Sequence, residues 1–166
     1  MCIAAVVMVF GFSGCANTTA NDDEAWQVSY EEATGILDRA VDYAKIGDID
    51  GLCNLAGARA NCRVQWNDAG GIDAVPEEAP EIIDTDVLEP VQLDNGFTAA
   101  GGRVLVVGGT DGLGRPYQTE VLVFRSDDPD SGVDGLAMIN AVYWSGYGIA
   151  QVGEDGSGTT EPRPES

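Results

Sequence analysis

Ser29-Tyr-Glu-Glu-Ala-Thr-Gly-Ile-Leu-Asp-Arg-Ala-Val-Asp-Tyr-Ala-Lys-Ile-Gly47-Asp-Ile-Asp-Gly-Leu-Cys-Asn-Leu55 is the stretch that decides how the rest of the chain is read. Ser29 and Glu32 have the spacing of a capping box, in which a hydroxyl and a carboxylate satisfy two amides that an opening helix leaves orphaned. A helix is therefore expected from this point. Tyr30, Ala33, Leu37, Ala40, Val41 and Ala44 fall on one face at the 3.6-residue period, while Glu31, Glu32, Asp38, Asp42 and Lys45 point away. Gly47 ends the periodic run. Asp48 suits the N-cap of a second, shorter helix carrying Ile49, Leu52, Cys53, Leu55 and Ala56, with Gly57 at its C-cap. A third helical segment is expected over Ala60 to Ala69.

Downstream the pattern changes to strands. Arg103 to Thr110, Tyr117 to Arg125 and Leu136 to Trp144 are rich in Val, Leu, Ile, Tyr and Phe. Asp111-Gly-Leu-Gly114 and Asp127-Asp-Pro-Asp-Ser-Gly132 supply the turns of an antiparallel meander. Pro76, Pro80 and Pro90 punctuate an acidic connector that reads as linker plus an irregular edge strand. The fold class is α+β, with N-terminal helices packed on an antiparallel sheet. Val104 to Val107 and Val121 to Phe124 are unbroken apolar runs, which place Val or Leu on both faces of that sheet. The second face then needs a cover: the connector from Gly71 to Pro90, the segment after Trp144, or a second copy of the chain in a homodimer. The connector is the simplest, because Val75, Ile82, Ile83, Val87 and Leu88 need a burial site of their own.

The chain has 166 residues, enough for one domain. Its 28 acidic residues against 8 basic ones give a net charge of −20. Seven arginines and the single Lys45 are scattered, so no basic surface exists to neutralise phosphates and nucleic acid is excluded as a partner. There is no histidine, which removes histidine-based catalysis and ligation together. Gly108, Gly112 and Gly114 have dinucleotide-loop spacing, but a strand follows the last glycine where a helix N-terminus would have to face the pyrophosphate. They read as hairpin glycines, and no cofactor is expected.

Ile3 to Phe12 is an uncharged apolar run, long enough for a signal-peptide core and short of a membrane span. Phe12-Ser-Gly-Cys15 follows it, and here the chain resembles the lipobox of bacterial lipoproteins, in particular the small cysteine-paired lipoproteins of actinobacteria. The resemblance implies cleavage before Cys15 and diacylation of its thiol. No Lys or Arg precedes the apolar core, which places the expected start of the chain upstream of Met1. The organisation that follows is a signal peptide over 1–14, a lipidated cysteine and tether over 15–25, one domain over 26–149 and a polar acidic tail over 150–166. Export would put Cys53 and Cys62 in an oxidising compartment, where they are expected to pair. Zinc would want four ligands and a redox pair would want Cys-x-x-Cys, and neither is present.

Ala40-Val-Asp-Tyr-Ala-Lys-Ile-Gly-Asp-Ile-Asp-Gly-Leu-Cys-Asn-Leu55, followed by the late meander, is similar to nuclear-transport-factor-2-like domains. That resemblance implies a cone, with helices on a curved antiparallel sheet around a pocket; another cystatin-like helix-on-sheet fold has similar spacing. Trp66, Tyr117, Phe124, Met138, Tyr143 and Trp144 are the candidate pocket lining, with core filling as the plainer reading. Enzymes of the cone, such as ketosteroid isomerase, place a tyrosine where this chain has Ala40 and a base where it has Asn61-Cys-Arg-Val64, so no catalytic residue is assigned. No metal site is expected; Asp128, Asp130 and Asp134 alternate as calcium ligands do, but no Glu closes the loop at the required spacing. The remaining acidic clusters, Glu77 to Glu81 among them, read as hydrated surface. The expectation is a non-catalytic, membrane-anchored extracytoplasmic lipoprotein that binds a protein partner in the cell envelope, the first alternative being a small-ligand binder using the cone pocket and the second a histidine-free acid/base enzyme.

Overall fold

A computed structural model describes residues 26–128 and 131–146. Helix α1 spans Tyr30–Lys45, and its capping box forms as read: the Glu32 amide donates to Ser29 Oγ at 3.2 Å and the Ser29 amide donates to Glu32 Oε2 at 2.9 Å. Its buried stripe is Ala33, Ile36, Leu37, Ala40, Val41 and Ala44. Tyr30 is not in it. At 49% exposure it sits in the first turn, where Val28, preceding the cap, enters the core instead. Helix α2 spans Ile49–Asn54, and its start is fixed by the Asp48 carboxylate accepting the Gly51 amide at 2.8 Å. Leu55, not Gly57, caps its end. Helix α3 spans Arg59–Ala69, and the Cys53–Cys62 disulfide ties it to α2.

After a 3-10 turn over Gly71–Ala74 the described residues form strands β1 (Glu81–Leu88), β2 (Val91–Gln92), β3 (Thr98–Ala99), β4 (Gly102–Thr110), β5 (Pro116–Arg125) and β6 (Leu136–Ile139). Strands β2 and β3 form a small hairpin of their own, and the main sheet is antiparallel in the order β1-β4-β5-β6. The α+β class is as expected. Leu105, Val107, Val121, Val123, Leu136 and Met138 join the helical stripe in one core. Side chains alternate across a strand, so Val104, Val106 and Leu122 belong to the opposite face.

Two expectations are corrected. The connector does not bury its apolar residues over that second face as expected: its early part enters the core at Ala74 and Val75, and the rest becomes β1 at the sheet's edge, where Val87 and Leu88 stay exposed. Leu122 is nevertheless buried and Val104 and Val106 half-buried, with Ile83 reaching across Gly108, where a Cβ would come within 2.7 Å of its tip. The last strand stops at Ile139 instead of running to Trp144. Asn140 adopts φ +62°, a left-handed conformation that asparagine tolerates, and turns Ala141, Val142, Tyr143 and Trp144 into the core. Its side chain holds the turn by donating to the Glu120 carbonyl at 2.8 Å and accepting from Gln65 Nε2 at 3.3 Å.

The two edges of the sheet are finished differently. Beyond β6 the chain between α2 and α3 adds a short bridge: the Met138 amide donates to the Leu55 carbonyl at 2.8 Å and the Gly57 amide to the Met138 carbonyl at 3.1 Å. Glycine is required there, because a Cβ on Gly57 would stand 2.7 Å from the Phe124 ring. Beyond β1 no described strand follows.

Candidate functional site

The six side chains proposed as pocket lining separate into two groups. Trp66 and Trp144 meet edge to face with ring centroids 5.5 Å apart, Tyr143 and Trp144 do so at 4.8 Å, and Tyr117 leans on Tyr143 at 6.3 Å. Trp66, Tyr143 and Trp144 are buried. Phe124 and Met138 instead line an open depression of about 280 Å³ together with Gly57, Asn61, Gln65 and Asn140. Burial pushes the Tyr117 phenol up to about 12, with the Asp111 charge adding to it, and burial together with Tyr117 pushes the Tyr143 phenol up as well. Both are neutral at physiological pH. Neither hydroxyl, nor Trp144 Nε1, has a hydrogen-bond partner among the described residues, so this group is held by ring packing.

Among the described residues the buried carboxylate is Asp111, at 6% exposure. It accepts the Leu113 amide at 3.0 Å, the Arg115 amide at 2.8 Å and Arg115 Nε at 2.7 Å, while Arg115 Nη2 donates to the Ala69 carbonyl at 2.7 Å. Burial by itself would raise its pKa, but the Arg115 amide and guanidinium outweigh that and hold it below the usual carboxylate range. Asp111 is thus an anion at neutral pH, engaged in bracing the β4–β5 turn against the end of α3. Sequence reading took this segment only as a turn. The available signal was the Asp–Arg pair four residues apart.

Asp134 takes φ +57° and pairs with Arg39 at 2.9 Å, the Asp128 carbonyl accepts the Ser131 amide at 3.1 Å, and Asp130 lies outside the described residues. Among the described residues no group of three or more Cys, Asp or Glu side chains could hold a metal ion. Cys15 also lies outside them, and no described helix is long and apolar enough to cross a membrane.

A surface the sequence reading did not single out is the flange formed by β1 and the β2–β3 hairpin. Ile83 is 54% and Phe97 72% exposed, and Val87, Leu88 and Val91 also face water. Around them are Glu77, Glu78, Glu81, Asp84, Asp86 and Glu89, and between Arg63 and Arg103 the chain has no cation at all. The flange is at once apolar and strongly negative. No family profile, curated protein or solved structure matches the chain.

Proposed function

We propose that the protein is a non-catalytic lipoprotein, anchored through Cys15 at the extracytoplasmic face of a cell membrane, which docks a protein partner on the β1–hairpin flange. The observation that carries the docking reading is the placement of large apolar side chains. Trp66, Tyr143 and Trp144 are spent on the core, whereas Ile83, Val87, Leu88, Val91 and Phe97, all within β1 and the hairpin that follows it, are left facing water. A run of exposed apolar side chains set among acidic ones has the make-up of a contact surface. A non-catalytic role is supported by Asp111, whose carboxylate is occupied by Arg115 and turn amides. The nuclear-transport-factor-2-like cone belongs to this reading, supported by the order of helices before an antiparallel meander.

Anchoring rests on the lipobox-like run ending at Cys15 and on the physics of acyl chains, which at about 0.8 kcal/mol per buried methylene give durable attachment when two are present. Cys15→Ala should release the protein or leave its precursor uncut, and radiolabelled palmitate should enter the native chain only. Label entering both, or neither, contradicts the anchor. For docking, a photo-crosslinking side chain at Leu88 or Phe97 should give one shared adduct in cells, and the same group at the exposed Leu113 should not. Adducts independent of position would contradict a defined docking face.

A second reading has one observation in its favour. The depression beside Phe124 and Met138 combines an apolar floor with the amides of Asn61, Gln65 and Asn140, the mixture that small-ligand sites use. Native mass spectrometry of protein extracted from its own membrane tests it: retained small-molecule mass supports a ligand site.

A further inference from the structure

We propose that the β1 edge accepts an extended, cationic segment of the partner protein as an added strand, and that Asp84 and Asp86 gate this addition. The proposal rests on the docking reading above and names its chemistry. Strand β1 pairs with β4 on one side only. Amides two residues apart on a strand point the same way, and the Thr85 amide donates to Asp84 Oδ1 at 2.8 Å while the Val87 amide donates to Asp86 Oδ1 at 2.7 Å. A carboxylate reaches such an amide only where no neighbouring strand stands between. These two N–H groups are therefore the donors of the open edge, each covered by the side chain before it.

Charged side chains on an edge strand ordinarily discourage pairing. Here the discouragement is selective. A second copy of the chain would set Asp84 and Asp86 against the same residues across a strand spacing of about 4.8 Å, inside a segment that holds no cation, and like charges so placed repel. A strand carrying Lys or Arg at alternate positions does the opposite. Its cations draw the two carboxylates off the amides into charge-assisted pairs, and the freed Thr85 and Val87 amides donate to its carbonyls. No hydrogen bond is lost in the exchange and two ion pairs are gained. On the face opposite the two carboxylates, the exposed side chain of Val87 then receives an apolar position of the incoming strand. The matching occupant is an extended segment of alternating basic and apolar residues.

The test uses the full chain in non-ionic detergent and a synthetic octapeptide of alternating Lys and Val. Amide exchange at Thr85 and Val87 should slow at least tenfold in its presence. An octapeptide of alternating Glu and Val should not slow it, nor should one of alternating Lys and Pro, which has the same charge and cannot form a ladder. Asp84→Ala with Asp86→Ala should weaken Lys–Val binding at least tenfold and allow the variant to self-associate through the uncovered edge. Asp38→Ala with Asp42→Ala, the same charge change on the solvent face of α1, should do neither. Unchanged protection at Met138 verifies that each variant is folded. Lys–Pro binding as tightly as Lys–Val, or equal loss in both double variants, reduces the effect to general attraction and overturns the proposal. Position-specific adducts at Phe97 without any slowing at Thr85 and Val87 overturn strand addition while leaving the docking reading standing.

Discussion

The edge beyond β6 is closed by main chain from the α2–α3 connection, and the edge beyond β1 is closed only by its own aspartates. The first closure is made of backbone hydrogen bonds between residues 55–57 and Met138, placed inside a loop that the Cys53–Cys62 disulfide fixes. It is permanent as long as the fold is. The second is made of exposed carboxylates on exposed amides and can be exchanged for another partner without unfolding anything. Stability is concentrated at one edge and availability at the other, as expected where binding elements come from the less protected part of a fold.

The strongest way to break this contrast is to cut the disulfide. Closing a loop of about ten residues removes roughly 2.5 to 3 kcal/mol of unfolded-state freedom in the chain-entropy description. Cys53→Ala with Cys62→Ala should therefore lower urea stability by about that amount and raise exchange at Gly57 and Met138 more than at β4. Equal change at all strands would mean that the disulfide does not serve the sealed edge.

Asp111→Asn comes next, with an expected loss of about 2 kcal/mol, since hydrogen bonds to a charged group are among the stronger ones. Its pH dependence has a definite sign. The folded Asp111 carboxyl lies below its ordinary value, so its contribution is complete above the unfolded pKa of about 3.9 and disappears as pH falls through the lower folded value. Wild-type stability should fall more steeply than the variant's below about pH 4. Parallel curves would remove Asp111 from the account. Gly57→Ala should cost about 1 to 2 kcal/mol, because the new methyl meets the Phe124 ring and must displace it. Smallest are Ile83→Ser and Phe97→Ser on the flange, each within about 0.5 kcal/mol, as is usual for exposed positions. Both should nonetheless abolish the crosslinked adduct. A large loss of stability from either would place these side chains in the fold rather than at a contact.

Much of the sealed half was legible because its signals are local. Ser29 with Glu32, Asp48 at a helix start and the Val-rich runs of β4 and β5 each state their structure within a few residues. The bridge from Leu55 and Gly57 to Met138 was not, since it joins positions some eighty residues apart and leaves no periodic trace. The last strand was read too long for the same reason: Ala141 to Trp144 are apolar enough for a strand, and only the tertiary fit of Asn140 turns them inward. The six aromatic and methionine candidates could be recognised as large, but not divided between core and depression, because burial is decided by what other elements place around them. At the flange, acidic residues among prolines read as mere hydrated linker. That Asp84 and Asp86 cover edge amides depends on β1 having one neighbour and not two.

Site-resolved amide exchange on the native, partner-free protein compares the two edges most directly. Gly57 and Met138 should exchange at the rate of global opening, orders of magnitude slower than Thr85 and Val87, whose amides are covered only by exposed side chains. Thr85 and Val87 protected as strongly as Met138 would contradict the open edge on which the proposed docking depends.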